Sequence, residues 1–282
     1  MFRLVEASAA IRDAVPPELV PVFWVITTLG SAKFLMTGLS LFYWNVQQRR
    51  DTLLAVISVA FVAVSVTLAL KYWFGLPRPP AGVQRYPVEP SPIGFPSGHA
   101  IAATTVYGGA LIALDKYRDA SAVVATTALV ALIGLSRVVL GVHYLGDIVA
   151  GFAVGLVMLV VIAVALEWGP AVVFGLAVLS SIPAVLVTAD LGDVGLALGG
   201  SLGGLAGALW QSTTERFRSR SERAFVNVAG VSFVGAALIT VEAVETTLVG
   251  AALVNVALVF GIIALPSLTG RFELFEAATA TD

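Results

Sequence analysis

Long apolar runs dominate the 282-residue chain, broken by short polar, proline- or glycine-bearing stretches, and no stretch alternates apolar and polar positions with a period of two. A hydrocarbon core about 30 Å thick takes roughly 20 apolar residues per helical crossing. Lipid offers the backbone no hydrogen-bond partners, so repeated crossings are helices or a closed barrel, and the missing alternation removes the barrel. The pattern predicts nine helical spans, near residues 20–44, 52–74, 98–115, 121–141, 144–166, 170–188, 191–210, 225–241 and 247–266. The expected fold class is all-α, a polytopic integral membrane helix bundle. The fourth and fifth spans meet at a tight turn around Gly141, and the seventh is rich in glycine. Ahead of the first span, residues 1–19 carry Arg3, Glu6, Arg12, Asp13 and Glu18 without the apolar core of a cleavable signal. They read as an amphipathic segment lying at the membrane surface.

Composition agrees. The chain is 58% hydrophobic and 12% charged, with a mean hydropathy of +0.94, whereas soluble domains carry roughly 25% charged residues. A formal net charge of −2 and the lack of a solvated basic domain speak against a nucleic-acid partner. Cysteine is absent, which excludes thiolate chemistry, disulfides and cysteine-ligated metals.

With nine spans, Arg49 and Arg50, Lys116 and Arg118, the group Arg216, Arg218, Arg220 and Arg223, and Arg271 all fall on one face. The positive-inside rule makes that face cytoplasmic, together with the C-terminus. The expected location is the cell membrane, with the polar clusters described next facing the extracytoplasmic side.

Both histidines fall in three clusters: Lys71 to Arg78-Pro79, Pro96-Ser97-Gly98-His99, and Ser136-Arg137 with His143 and Asp147. His143 and Asp147 share a helical face, so the carboxylate can accept a proton from one ring nitrogen and leave the other as a nucleophile. An isolated pair of this kind is as readily a structural ion pair at a span end. Arg137 alone reads as a snorkelling arginine, and its planar fork equally suits phosphate oxygens. Ser97 can cap the third span, Gly98 allows close backbone approach, and the helix start favours an anion. His99 beside that anion can protonate a leaving oxygen; taken alone, the tetrapeptide is an ordinary helix start. Lys71 and Arg78 are interfacial anchors if read singly, and a phosphate clamp if read with the rest. Arg85 reads as a solvated loop charge. Phosphoryl transfer needs positioning and charge stabilisation on the equatorial oxygens, which Lys71, Arg78, Arg137 and Ser97 can supply without a metal.

The three clusters resemble the signature of the type-2 phosphatidic acid phosphatase family, within the acid phosphatase and vanadium haloperoxidase superfamily: K-x-x-x-x-x-x-R-P, P-S-G-H and S-R-x-x-x-x-x-H-x-x-x-D. Every defining position matches, in order and spacing. The resemblance implies a core of about six spans within residues 20–188. It implies His143 as the nucleophile that forms a phosphohistidine, Asp147 as its orienter, and His99 as acid and then base. Lys71, Arg78, Ser97, Gly98 and Arg137 would hold the phosphoryl oxygens, with no metal and no cofactor.

Residues 189–282 form an additional C-terminal module in this reading. Gly195, Gly199, Gly203 and Gly207 make a small-residue stripe that can pack within the chain or join two copies into a homodimer. Arg216 to Arg223 read as a cytoplasmic anchor for anionic headgroups, and Glu242 and Glu245 as interfacial charges. Lys33, near the middle of the first span, is outside the signature and reads equally as a structural residue or a substrate contact.

The leading expectation is a membrane phosphatase acting on a lipid phosphate or diphosphate at the outer leaflet, of polyprenyl diphosphate, phosphatidate or phosphatidylglycerophosphate type. A phosphotransferase using a lipid or sugar acceptor shares the chemistry, as does vanadate-dependent halide oxidation. A non-enzymatic anion or lipid transporter also fits the spans, but it has no use for a histidine at a helix start beside a His–Asp couple.

Overall fold

The computed structural model describes residues 2–85, 91–187, 191–211, 220–244 and 247–269. Among these the helices are α1 (Val5–Asp13), α2 (Val20–Thr28), α3 (Ala32–Asn45), α4 (Arg50–Phe74), α5 (Gly98–Ala113), α6 (Ala120–Val139), α7 (Leu145–Trp168), α8 (Pro170–Val187), α9 (Leu191–Trp210), α10 (Arg220–Val244) and α11 (Leu248–Thr269). Arg216, Arg218, Arg271 and the side chains of Glu242 and Glu245 lie outside the described residues.

All nine expected segments are helical, yet the count of nine spans is not reproduced. Among the described residues, five helical stretches are long and apolar enough to cross a membrane: Gln47–Phe74, Ala120–Val139, Leu145–Trp168, Arg220–Thr240 and Leu248–Ser267. The expected first span is two helices, α2 and α3, bent by 46°, and gives a sixth crossing if the pair counts as one. The break has a local cause: Ser31 caps α3, its hydroxyl accepting from the Phe34 N–H at 3.3 Å. The segment predicted at 98–115 ends early, leaving α5 with 16 residues. Helix α8 has an apolar stretch of only Pro170–Leu186, and α9 is diluted by its glycines and Asp193. These three rely on neighbours rather than on length and hydropathy of their own.

Helix ends follow from capping chemistry. Gly75, at φ 58°, closes α4 and donates its N–H to the Lys71 carbonyl at 2.8 Å. Asp119 caps α6, accepting from the N–H groups of Ser121 and Ala122 at 3.1 and 3.3 Å. Gly141, at φ 71°, makes the turn between α6 and α7. A side chain there would meet the Val83 carbonyl of the loop that follows α4.

The main core cluster joins residues from both sides of the proposed boundary at residue 189, including Trp44, Leu53, Phe174, Val226 and Leu258. Burying a Trp or Tyr in an apolar bundle requires a partner for its polar tip. The Trp44 indole donates to the Ile262 carbonyl at 2.9 Å, and the Tyr43 hydroxyl donates to Gln211 Oε1 at 2.8 Å. The glycine stripe is used inside the chain. A Cβ at Gly195 would lie 2.5 Å from Ala251 Cβ, and one at Gly199 or Gly203 would strike the backbone of Ala252 or Val256. Helix α11 therefore occupies the surface on which the homodimer expectation rested, an arrangement driven in lipid by close van der Waals contact.

Several basic and polar positions gather at one end of the bundle. Arg49 pairs with Asp115, and Asn45 and Asn227 exchange side-chain hydrogen bonds at 2.7 and 3.1 Å. The three signature clusters collect at the other ends of α4, α5, α6 and α7.

Candidate active site

The loop between α4 and α5 is pinned before it reaches any chemistry. The Arg78 N–H donates to the Pro92 carbonyl at 2.9 Å, and the Gly94 N–H donates to the Leu76 carbonyl at 2.8 Å, around an antiparallel bridge between Pro77 and Ile93. This clamp fixes where Arg78 leaves the backbone. Its guanidinium then donates from Nε to the Ser91 carbonyl at 2.7 Å and from Nη1 to the Val142 carbonyl at 3.0 Å. The same Nη1 lies 2.9 Å from His143 Nε2.

His143 sits just before α7 and is 2% exposed. Its backbone N–H and that of Val142 both donate to the Arg137 carbonyl, at 3.3 and 3.1 Å, so the Gly141 turn folds the end of α6 back onto the start of α7. The ring Nδ1 is 3.5 Å from Asp147 Oδ2. The same oxygen accepts the Tyr144 N–H at 2.9 Å, which fixes Asp147 at the helix start. One ring nitrogen therefore addresses a carboxylate and the other addresses Arg78. Assigned as the neutral tautomer with its proton on Nδ1, the imidazole keeps a lone pair on Nε2.

Ser97 is fully buried and caps α5, its hydroxyl accepting from the Ala100 N–H at 3.4 Å. Its backbone N–H donates to the Asp147 carbonyl at 3.1 Å, which ties the start of α5 to the first turn of α7. His99 follows within the first turn of α5. Its ring lies against Gly30 at the bend between α2 and α3, where an added methyl would sit 3.3 Å from His99 Cδ2. Arg137 is buried and donates from Nη1 to Thr27 Oγ1 at 2.9 Å.

A cavity of about 520 Å³ collects these groups: Lys71, Arg78, Gly98, His99, Arg137 and His143 all line it. Ser97 and Asp147 do not. Ser97 stands behind the wall as a helix cap, and Asp147 stands behind His143, where an orienting carboxylate belongs. The rest of the wall is largely apolar, with Leu35, Ile57, Phe61, Leu68, Leu196 and Ile262 among its residues. Such a chamber suits a ligand with an anionic head and an apolar body.

Three further residues meet the site. Lys33 lies in the first turn of α3, just past the bend between α2 and α3, and lines the cavity while staying exposed. Asp193 of α9 lines it too. Sequence spacing gave no signal for Asp193, since the approach of α9 depends on the glycine stripe. The third is Arg3. Its Nε donates to Asp147 Oδ1 and its Nη2 to Asp147 Oδ2, each at 2.8 Å. The amphipathic segment predicted for the membrane surface is thus docked on the protein, with the Leu145 N–H donating to Ser8 Oγ at 2.8 Å. Arg85 serves the same docking, donating to the Val15 carbonyl at 2.7 Å rather than standing free in solvent.

Residues 51–169 match the family described as the PAP2 superfamily. Over 167 residues the chain is 31% identical to phosphatidylglycerophosphatase B of Bacillus subtilis (strain 168), an alignment covering 54% of this chain and 76% of that protein. No solved structure matches the chain significantly.

Proposed function

The chain belongs to the PAP2 superfamily and is a multi-pass lipid phosphate phosphatase; from that premise we propose a metal-independent reaction through a phosphohistidine on His143. The observation that carries this reading is the address of the His143 ring: Nδ1 toward Asp147 at 3.5 Å, Nε2 toward Arg78 at 2.9 Å on the cavity side. Nε2 attacks phosphorus, and the ring keeps its Nδ1 proton, whose growing positive character the Asp147 carboxylate stabilises as hydrogen-bond acceptor. His99 protonates the departing oxygen, and in the second step removes a proton from the water that splits the P–N bond. Lys71, Arg78 and Arg137, with the N–H groups at the start of α5, stabilise charge on the equatorial oxygens. Arg78 and His143 Nε2 are in contact, so substrate binding moves the Arg78 donor from nitrogen to a phosphoryl oxygen.

The substrate in this proposal is a lipid whose phosphate or terminal diphosphate reaches the cation-rich end of the cavity while its tail follows the apolar wall. Among polyprenyl diphosphate, phosphatidate and phosphatidylglycerophosphate, the name of the Bacillus relative favours the last. The reaction takes place on the extracytoplasmic side, opposite the basic loops.

Phosphate release by the purified protein in detergent, with a chelator present, tests the proposal on these three lipids side by side. Release that persists in chelator and disappears in His143→Ala is expected. Activity that needs an added divalent cation, or that survives in His143→Ala, contradicts it.

A further inference from the structure

Asp147 is fully buried at the start of α7, and its Oδ2 lies 3.5 Å from His143 Nδ1. An ionised carboxylate offers about four lone-pair directions. The Arg3 fork takes one on each oxygen, at 2.8 Å apiece, and the Tyr144 N–H takes a further one on Oδ2 at 2.9 Å. Both directions on Oδ2 are thereby taken, and His143 Nδ1 approaches that oxygen as a third, longer contact at 3.5 Å. A bidentate fork also fixes the plane of the carboxylate, which a single point charge does not.

Arg3 is itself held on three sides. Its Nη1 donates to the Pro77 carbonyl at 2.8 Å, its guanidinium stacks over the Tyr144 ring at 4.5 Å, and its carbonyl accepts the Gly146 N–H at 3.1 Å. A side chain at position 146 would strike the backbone of Phe2 and Arg3, so this approach needs the glycine. Pro77 directly precedes Arg78, whose Nη1 lies 2.9 Å from His143 Nε2. One guanidinium therefore ties together the groups that face both nitrogens of the imidazole.

We infer that Arg3 is a positioning residue of the phosphatase reaction: it sets the plane of Asp147 and its register against Arg78, and through them the orientation of the His143 ring. The inference rests on the reading of His143 and Asp147 as the nucleophile and its orienter. It extends the support of the active site to one residue of the N-terminal segment, Arg3.

The test compares Arg3→Ala, Arg3→Lys and Ser8→Ala in the full chain, with dioctanoyl phosphatidate as the probe in detergent and His143→Ala alongside. Ser8→Ala removes a contact that docks α1 without touching Asp147. Arg3→Ala is expected to lower kcat roughly ten- to a hundredfold, the scale of a small misplacement of reacting groups. KM should stay within about threefold, since substrate contacts are untouched. Low-millimolar guanidinium should restore part of the lost kcat, Arg3→Lys should recover only part of it, and Ser8→Ala should leave kcat within about threefold of the parent. If Arg3→Ala does not fold, the Arg3→Lys loss of kcat at unchanged KM carries the test. An Arg3→Ala variant with the parent's kcat, a Ser8→Ala loss equal to the Arg3→Ala loss, or a failure of guanidinium to restore activity overturns the inference. Parent-like turnover in His143→Ala instead overturns the reading on which it rests, so the two failures are distinguishable.

Discussion

At the scale of single residues, the site is a division of labour around one imidazole. Arg78 and Asp147 approach His143 from opposite nitrogens, while His99 projects from another helix into the same cavity. Removing a general acid–base group costs roughly 10²–10⁴ in rate, so His99→Ala is expected to lower kcat on a lipid by that factor. The loss should be smaller for a phosphate ester whose leaving group needs no proton, measured as the ratio of the two kcat values. Equal losses on both would remove His99 from the acid role. Arg137→Ala, which deletes a buried donor at the cavity wall, is expected to cost about 10²–10³ in kcat/KM. The members of the three clusters were legible in the sequence because their chemistry is local: residue types at fixed spacing on helix starts and ends. Arg3 was not. Its partner lies 144 residues away, and an arginine in a short amphipathic segment has no local pattern that distinguishes a surface anchor from a counter-ion.

At the scale of elements, helix boundaries and the packing of small residues decide how the site is assembled. The bend between α2 and α3 was hidden inside one apolar run, because hydropathy is blind to a Ser cap that interrupts a span. Lys33, an isolated mid-span charge in the sequence, lies just past that bend and lines the cavity. The glycine stripe was legible as a close-contact surface, but not its partner, since Gly195 to Gly207 fit α11 or a second copy equally well on paper. Gly203→Val is expected to destabilise the fold by about 1–3 kcal/mol or more, because the new side chain meets the backbone of α11. The control is Gly235→Ala in α10, where an added methyl meets nothing within 4 Å; a gain of roughly 0.5–1 kcal/mol follows from lower unfolded-chain entropy. Thermal unfolding in one detergent compares them, and equal melting temperatures for the two variants would contradict the packing of α9 on α11.

At the scale of the whole molecule, the class of membrane bundle was legible from composition and run length, whereas the number of crossings was not. Nine apolar stretches became helices, but α5, α8 and α9 are short or glycine-diluted and are supported by neighbours. Arg49 and Asp115 pair at one end of the bundle, and Arg78 and His143 meet at the other. A chain without cysteine is a ready background for accessibility mapping in intact cells. Ala81→Cys is expected to react with an impermeant maleimide added outside, and Lys116→Cys only after the membrane is opened. The reverse pattern would move the active site to the cytoplasmic side without altering its geometry.

Rapid acid-free quenching of the enzyme with a phosphoryl-labelled substrate probes the covalent step on His143. The expected label sits on the peptide containing His143, is lost in acid and retained in base, and is absent from His143→Ala; with an ester whose leaving group needs no proton it accumulates in His99→Ala, where attack by water is slowed. Turnover by an enzyme that never carries such a label, or a label that persists in His143→Ala, would contradict it.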